Sequence, residues 1–380
     1  MADEAGESMN GGVGRILKIG VGLLVLFYIF LTCVAAWGSG APVLVVAWLT
    51  VVAILFVGTL VHEAGHAIAA LLCRHDVILL AVRPIVIQFA NRDWAWMPRE
   101  YERDVGGLVF SAPRRLEDAT AARKRAVIAG GPIASALLAV AALTWSALFW
   151  GEHRSSFEAI GMPAVVHALG IWSTWIVIVS LLPTSSGHPS DGQQLWRMRH
   201  GLNQPIYRLG LLAGFAFYNV RLRDYPRWLI EALRDTSSEE TMALTIDQIE
   251  IGIVLDSPPV DRQRTRAMLD GFRDRYGNSE WLASCDAYFT AIWEDDWQAG
   301  QVRLWREPVS AADGSLRCAA AAAVAARAGD HTAMTDRLAE MDAFVLQRSP
   351  LPDPTYRDIR RQVEAAFAET QAARITASPA

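Results

Sequence analysis

The stretch PVLVVAWLTVVAILFVGTLVHEAGHAIAALL, Pro42–Leu72, decides how this chain is read. It exceeds the about 20 apolar residues that a bilayer-crossing helix needs, and Glu63 is its only formally charged residue. A charge near the middle of such a helix costs about 2.5 to 3.5 kcal/mol, so the cluster His62, Glu63 and His66 requires compensation. These residues form H-E-x-x-H. Positions i and i+4 share a helix face, which puts both imidazoles where they can ligate one tetrahedral Zn²⁺ at about 2.0 to 2.1 Å. Glu63 is left beside the metal as a proton acceptor. Chance alone would place this pattern in roughly one chain in a hundred of this composition, so the apolar context is what gives it weight.

Outward from this helix, three further stretches are apolar enough to span: Ile16–Trp37, Ala126–Trp150 and Pro163–Leu182. The chain as a whole is 52% hydrophobic and 20% charged, and the charges recur every few residues beyond about Arg197. The fold class expected is mainly α. A membrane bundle of about four helices occupies residues 15–196, and a soluble, cytoplasmic α-helical domain occupies 197–380. Met1–Gly14 is Gly-rich and acidic, with neither the basic start nor the cleavage site of a signal peptide, and is expected to be disordered. Net charge is −5 with acids and bases interspersed, which argues against a nucleic-acid partner. The four cysteines are widely spaced and read as small hydrophobes rather than disulfides or ligands.

Lys and Arg concentrate at the start of the first span, as Arg15 and Lys18, and between the second and third, while the other two connectors offer only Arg154. This asymmetry predicts that both termini, and the ends of the second and fourth spans, face the cytoplasm. The membrane is then expected to be a bacterial inner membrane. A catalytic zinc takes three protein ligands and leaves one position open, so a third ligand must come from elsewhere. The segment after the fourth span, Leu181-Leu182-Pro183 through His188 to Asp191-Gly192, returns to the same side as the histidines. On spacing alone, Asp191 and His188 are equal candidates.

Together, HEAGH in one span, Gly131-Pro132 in a later one, and Leu-Leu-Pro leading to Asp191-Gly192 resemble the site-2 protease family of intramembrane zinc metalloproteases. The resemblance covers about the first half of the chain. It implies one Zn²⁺ per chain held by His62, His66 and Asp191, with Glu63 catalytic, and it demotes His188. Where the family usually has asparagines that position the substrate, this chain has Ser180 before Leu-Leu-Pro and Ser135 after Gly-Pro. The implied activity is hydrolysis of a peptide bond in or next to the transmembrane segment of a membrane-protein substrate, a single-span one being expected. Two rivals are a catalytically inactive member acting as a membrane-protein scaffold, and a transporter. The latter would usually show repeated halves, which are not found.

Between the second and third spans, about Asp76–Ala112, β-branched runs predict a small membrane-side β-hairpin with Pro84 marking an edge strand that could hold an extended substrate. The small residues Ala129–Ser135 predict close helix packing. In the C-terminal domain, Leu316–Arg327 and His331–Gln347 predict a helical hairpin, with a comparable break at Trp297–Gly300, loosely like stacked helical repeats. No catalytic constellation occurs there. A regulatory protein bound through this domain is the expected further partner, besides the substrate and the lipid bilayer.

Overall fold

A computed structural model describes residues 21–34, 41–89, 93–96, 107–152, 161–182, 189–236, 240–257, 260–305, 314–348 and 353–377. The chain divides into two compact units, Met1–Gln204 and Pro205–Ala380. Met1–Gly14, His188 and the turn at Asn91-Arg92 lie outside the described residues.

In the first unit, α2 (Ala41–Leu72), α3 (Ala121–Glu152) and α4 (Gly161–Leu181) are long and apolar enough to cross a membrane. A shorter apolar helix, α1 (Val21–Val34), falls within the predicted first span, whose two ends lie outside the described residues. Side chains such as Val45, Leu49, Val52, Leu137 and Val140 point outward and are exposed, as expected of helices solvated by lipid. Ile29 and Cys33 of α1 meet Ala47, Val51 and Ile54 of α2 and Ala168 of α4 in one buried cluster.

Helices α2 and α3 approach through glycine. A Cβ built on Gly130 would lie 2.5 Å from the Gly65 carbonyl oxygen, and one on Gly65 would lie 2.5 Å from Ala134 Cβ. This is the close packing that Ala129–Ser135 predicts, and only small residues permit it.

Four antiparallel strands follow α2 in place of a simple hairpin: β1 (His75–Val82), β2 (Ile85–Gln88), β3 (Asp93–Trp96) and β4 (Gly107–Pro113), in the order β3-β2-β1-β4. Pro84 therefore does not mark an edge. It occupies the turn joining the two central strands, where its missing N–H breaks no ladder, and the edges are β3 and β4. Leu79, Ala81, Val86 and Gln88 form the buried face. Trp94 and Trp96 project from β3 on the opposite face, paired with Ile87 and Ile85. His75 in β1 is fully buried, and neither ring nitrogen has a hydrogen-bond partner among the described residues. Burial, reinforced by Lys124 and Arg123 and opposed by Asp76, pushes His75 down to about 4.

The described elements of the second unit include the helices α6 (Gln204–Phe217), α7 (Arg227–Thr236), α8 (Glu240–Leu255), α9 (Arg262–Tyr276), α10 (Glu280–Trp293), α11 (Trp297–Trp305), α12 (Gly314–Ala328), α13 (His331–Arg348) and α14 (Pro354–Ala377), joined by turns, with no strand among that unit's described residues. A seven-residue helix, α5 (Asp191–Arg197), belongs to the first unit. The predicted hairpin is present as α12 and α13, turned by Gly329 at φ 72° and capped by Asp330. The predicted break at Trp297–Gly300 is instead the first turn of α11. The chain breaks just before it, where Asp295 has φ 59° and Asp296 accepts the Ala299 N–H. Asp286, only 2% exposed, is neutralised by Arg266, Arg273 and Arg303.

Gly65→Val or Gly130→Val should destabilise the protein by about 1 to 3 kcal/mol by overpacking. Gly210→Ala, whose Cβ would meet nothing within 4 Å, should be neutral or stabilising. Thermal unfolding in detergent measures both. For His75, the depressed folded value means that stability is complete above about pH 6.5 and is lost as the pH falls toward about 4. With a chelator present throughout, His75→Leu should flatten the loss of melting temperature across that window; an unchanged slope would clear His75 of the effect.

Candidate metal centre

Near its C-terminal end, α2 carries His62, Glu63 and His66, all at most 9% exposed. His62 Nε2 and His66 Nε2 are 3.3 Å apart, with ring planes nearly perpendicular. Asp191 Oδ2 closes the triangle, 3.2 Å from His62 Nε2 and 3.4 Å from His66 Nε2. A tetrahedron with ligands about 2.0 to 2.1 Å from its centre has edges of about 3.3 Å, so the three atoms match one face of a zinc site. Among the described residues this is the only cluster of three or more His, Cys, Asp or Glu side chains close enough to share an ion.

Each member is held from outside. His66 Nδ1 lies 2.9 Å from the Val127 carbonyl oxygen, which can only accept, so Nδ1 carries the proton and Nε2 offers its lone pair. His62 Nδ1 lies 3.0 Å from Ser135 Oγ, and acceptance of Nδ1–H by that hydroxyl sets the same tautomer. Ser135, three residues after Pro132, thus touches a metal-ligand candidate, a contact that spacing alone does not reveal because it spans two helices. Gly131 supplies the room, since a Cβ there would collide with the His66 ring.

Asp191 opens α5. Ser190 caps that helix, its hydroxyl receiving the Gln193 N–H and donating to the Leu182 carbonyl at 2.7 Å. A side chain at Gly192 would run into the Leu181 backbone, so only glycine lets α5 start this close to the end of α4. Burial of Asp191 works to raise its pKa, but the two imidazoles beside it hold its carboxyl below the usual carboxylate range.

Glu63 follows His62 on α2 and is 6% exposed. The first residue of β4 covers it: a Cβ on Gly107 would lie 2.5 Å from Glu63 Oε1. Gly107 lies far from the motif in sequence and carries no signature of its own. The Ser180 hydroxyl donates to the Val177 carbonyl of its own helix at 3.1 Å. Pro84 lies in the β1–β2 turn, two residues beyond Val82, which pairs with Gly107.

Ser135→Ala should weaken zinc affinity by about 10- to 100-fold, as loss of an outer partner does at other histidine sites. Ser180→Ala should leave it unchanged. Chelator competition on purified protein reads both, and equal affinity in wild type and Ser135→Ala would remove Ser135 from the centre.

A family model for Peptidase family M50 matches residues 50–370, so the match runs from α2 almost to the end of α14. No curated protein and no solved structure matches the chain. With three membrane-length helices, the HEAGH helix and a convergent His-His-Asp cluster, the chain belongs to peptidase family M50, the metallopeptidases of the site-2 protease type.

Proposed function

We propose that this protein is an intramembrane zinc endopeptidase that cuts a peptide bond in or next to the transmembrane segment of a membrane-protein substrate. The observation that carries this reading is the triangle of His62 Nε2, His66 Nε2 and Asp191 Oδ2, with edges of 3.2 to 3.4 Å, beside a buried Glu63. His62, His66 and Asp191 would hold the metal. When bound, zinc supplies Lewis acidity, polarising the scissile carbonyl and lowering the pKa of water to about 7.

Glu63 accepts the proton of the attacking water and returns it to the leaving amine. Its burial in an apolar span keeps bulk water away from the exchange. Val127 and Ser135 orient the two imidazoles.

A helical substrate shields its scissile amide and must be extended before attack. Strand β4 is an edge of the sheet, and its first residue abuts Glu63, which supports β4 as the strand against which an extended segment pairs. This takes the place of the edge expected at Pro84. The Lys and Arg asymmetry supports placing the ends of α2 and α4 on the cytoplasmic side of a bacterial inner membrane. On a background without the native cysteines, Arg197→Cys should then label from the cytoplasmic side alone; labelling from the opposite side would invert the topology.

Glu63→Gln should abolish cleavage while zinc content stays near one per chain, because the glutamate is a base and not a ligand. Comparing membrane proteomes of wild-type and Glu63→Gln cells should reveal single-span proteins that accumulate uncut. Identical proteomes, with zinc bound in both, would favour the inactive scaffold. Gly107→Ala should likewise lower turnover and retain zinc, since its methyl displaces Glu63 and not a ligand.

A further inference from the structure

The second unit has a partly open cavity of about 590 Å³ among α6, α8, α10, α12, α13 and α14, within the range of small-molecule sites. Its wall carries three carboxylates: Asp256 from the end of α8, and Asp353 and Asp358 from the start of α14. Arg221 bridges two of them, donating to Asp256 Oδ1 at 2.8 Å and to Asp358 Oδ2 at 2.5 Å. Asp353 pairs with no base among the described residues. It receives the Thr355 N–H at 2.9 Å and a hydrogen bond from the Tyr356 backbone, as a helix cap does. Burial pushes Asp353 above the usual carboxylate range, with Asp256 adding to the effect.

The three carboxylates are met by two guanidiniums, Arg221 and the largely exposed Arg361, which lies 3.4 Å from Asp358, so the wall carries one net negative charge in a partly desolvated space. Phe217, Tyr225, Trp281, Tyr288 and Tyr356 supply aromatic surface around them. Hydroxyls and an amide are already tied to one another: Tyr288 donates to Gln362 Oε1 at 2.7 Å, and Ser315 and Tyr356 are 2.7 Å apart. Aromatic faces and carboxylates attract the same kind of ligand, a positive charge on an apolar body. A bare metal ion fits less well. The three carboxylates do not converge as the His62, His66 and Asp191 cluster does, and aromatic walls offer an ion no lone pairs.

We infer that this cavity is a binding site for a small organic cation, an amine or guanidine carried on an aliphatic or aromatic body, held by Asp353 and Asp256 and flanked by Tyr288 and Trp281. The cavity belongs to the second unit and the metal centre to the first, and its occupancy can be read without any cleavage assay.

The test uses the full chain in detergent, with phenethylamine, agmatine and spermidine as probes, and phenethyl alcohol and 3-phenylpropionate as neutral and anionic counterparts. Calorimetric titration and thermal shift should show saturable binding of at least one amine and none of the alcohol or the acid. Asp353→Asn keeps a side chain able to cap α14 and should weaken that amine by about tenfold, the loss expected for a charge-assisted hydrogen bond. Glu63→Gln should bind it as wild type does. If Asp353→Asn melts early, Asp358→Asn, at the more exposed end of the cluster, serves in its place and should also weaken binding. The inference fails if none of the three amines binds, if the alcohol binds equally well, or if the carboxamide variants bind unchanged. Binding of a lysine-bearing peptide where no free amine binds would also overturn it, by assigning the cavity to a protein partner.

Discussion

Two backbones can approach only as closely as the smallest residues between them allow, and the meeting of Gly65 with Gly130 fixes that distance for α2 and α3. The metal centre is measured from this contact. His66 reaches across it to the Val127 carbonyl, one turn before Gly131, and His62 reaches across it to Ser135, one turn after. Each imidazole therefore borrows its orientation from the neighbouring helix. A methyl group between the helices would part both rings from the groups that fix their tautomers, and the lone pairs facing Asp191 would no longer be assured.

The two units solve the burial of charge in different ways. In the first, apolar side chains face outward, and His62, His66 and Asp191 gather into one cluster that could hold a metal ion. In the second, charges lie inside and are neutralised by other side chains, most densely where Asp286 meets Arg266, Arg273 and Arg303. A carboxylate so enclosed is tolerable only while its guanidinium partners remain, which ties α9, α10 and α11 together through one residue.

What the sequence made legible followed periodicity. His62, Glu63 and His66 declare themselves because helix geometry converts their spacing into a shared face, and the long spans because hydropathy is additive along a helix. Asp191 was legible only through the resemblance, since spacing gives His188 equal standing. Contacts between elements were not legible. Nothing about Ser135 announces a bond to His62, and nothing about Gly107 announces that it covers Glu63, because both depend on how strands and helices are laid side by side. Pro84 misled for a related reason: proline is excluded from ladder positions that donate, and a turn between two central strands satisfies that rule as well as an edge does. The break assigned to Trp297–Gly300 was displaced because Asp295 and Asp296 turn and cap the chain just before it.

The close seat of Gly192 against the end of α4 also bears on how the protein is made. Two ligand candidates lie on α2, while the third is delivered by a residue docked to the last described span, so the triad cannot assemble until that span has been inserted and folded back. A nascent chain halted after α2 or α3 holds at most a pair of imidazoles, a weak and indiscriminate cation trap. Capture of the metal is thereby a late event in biogenesis, and it falls to a chain whose bundle is already complete.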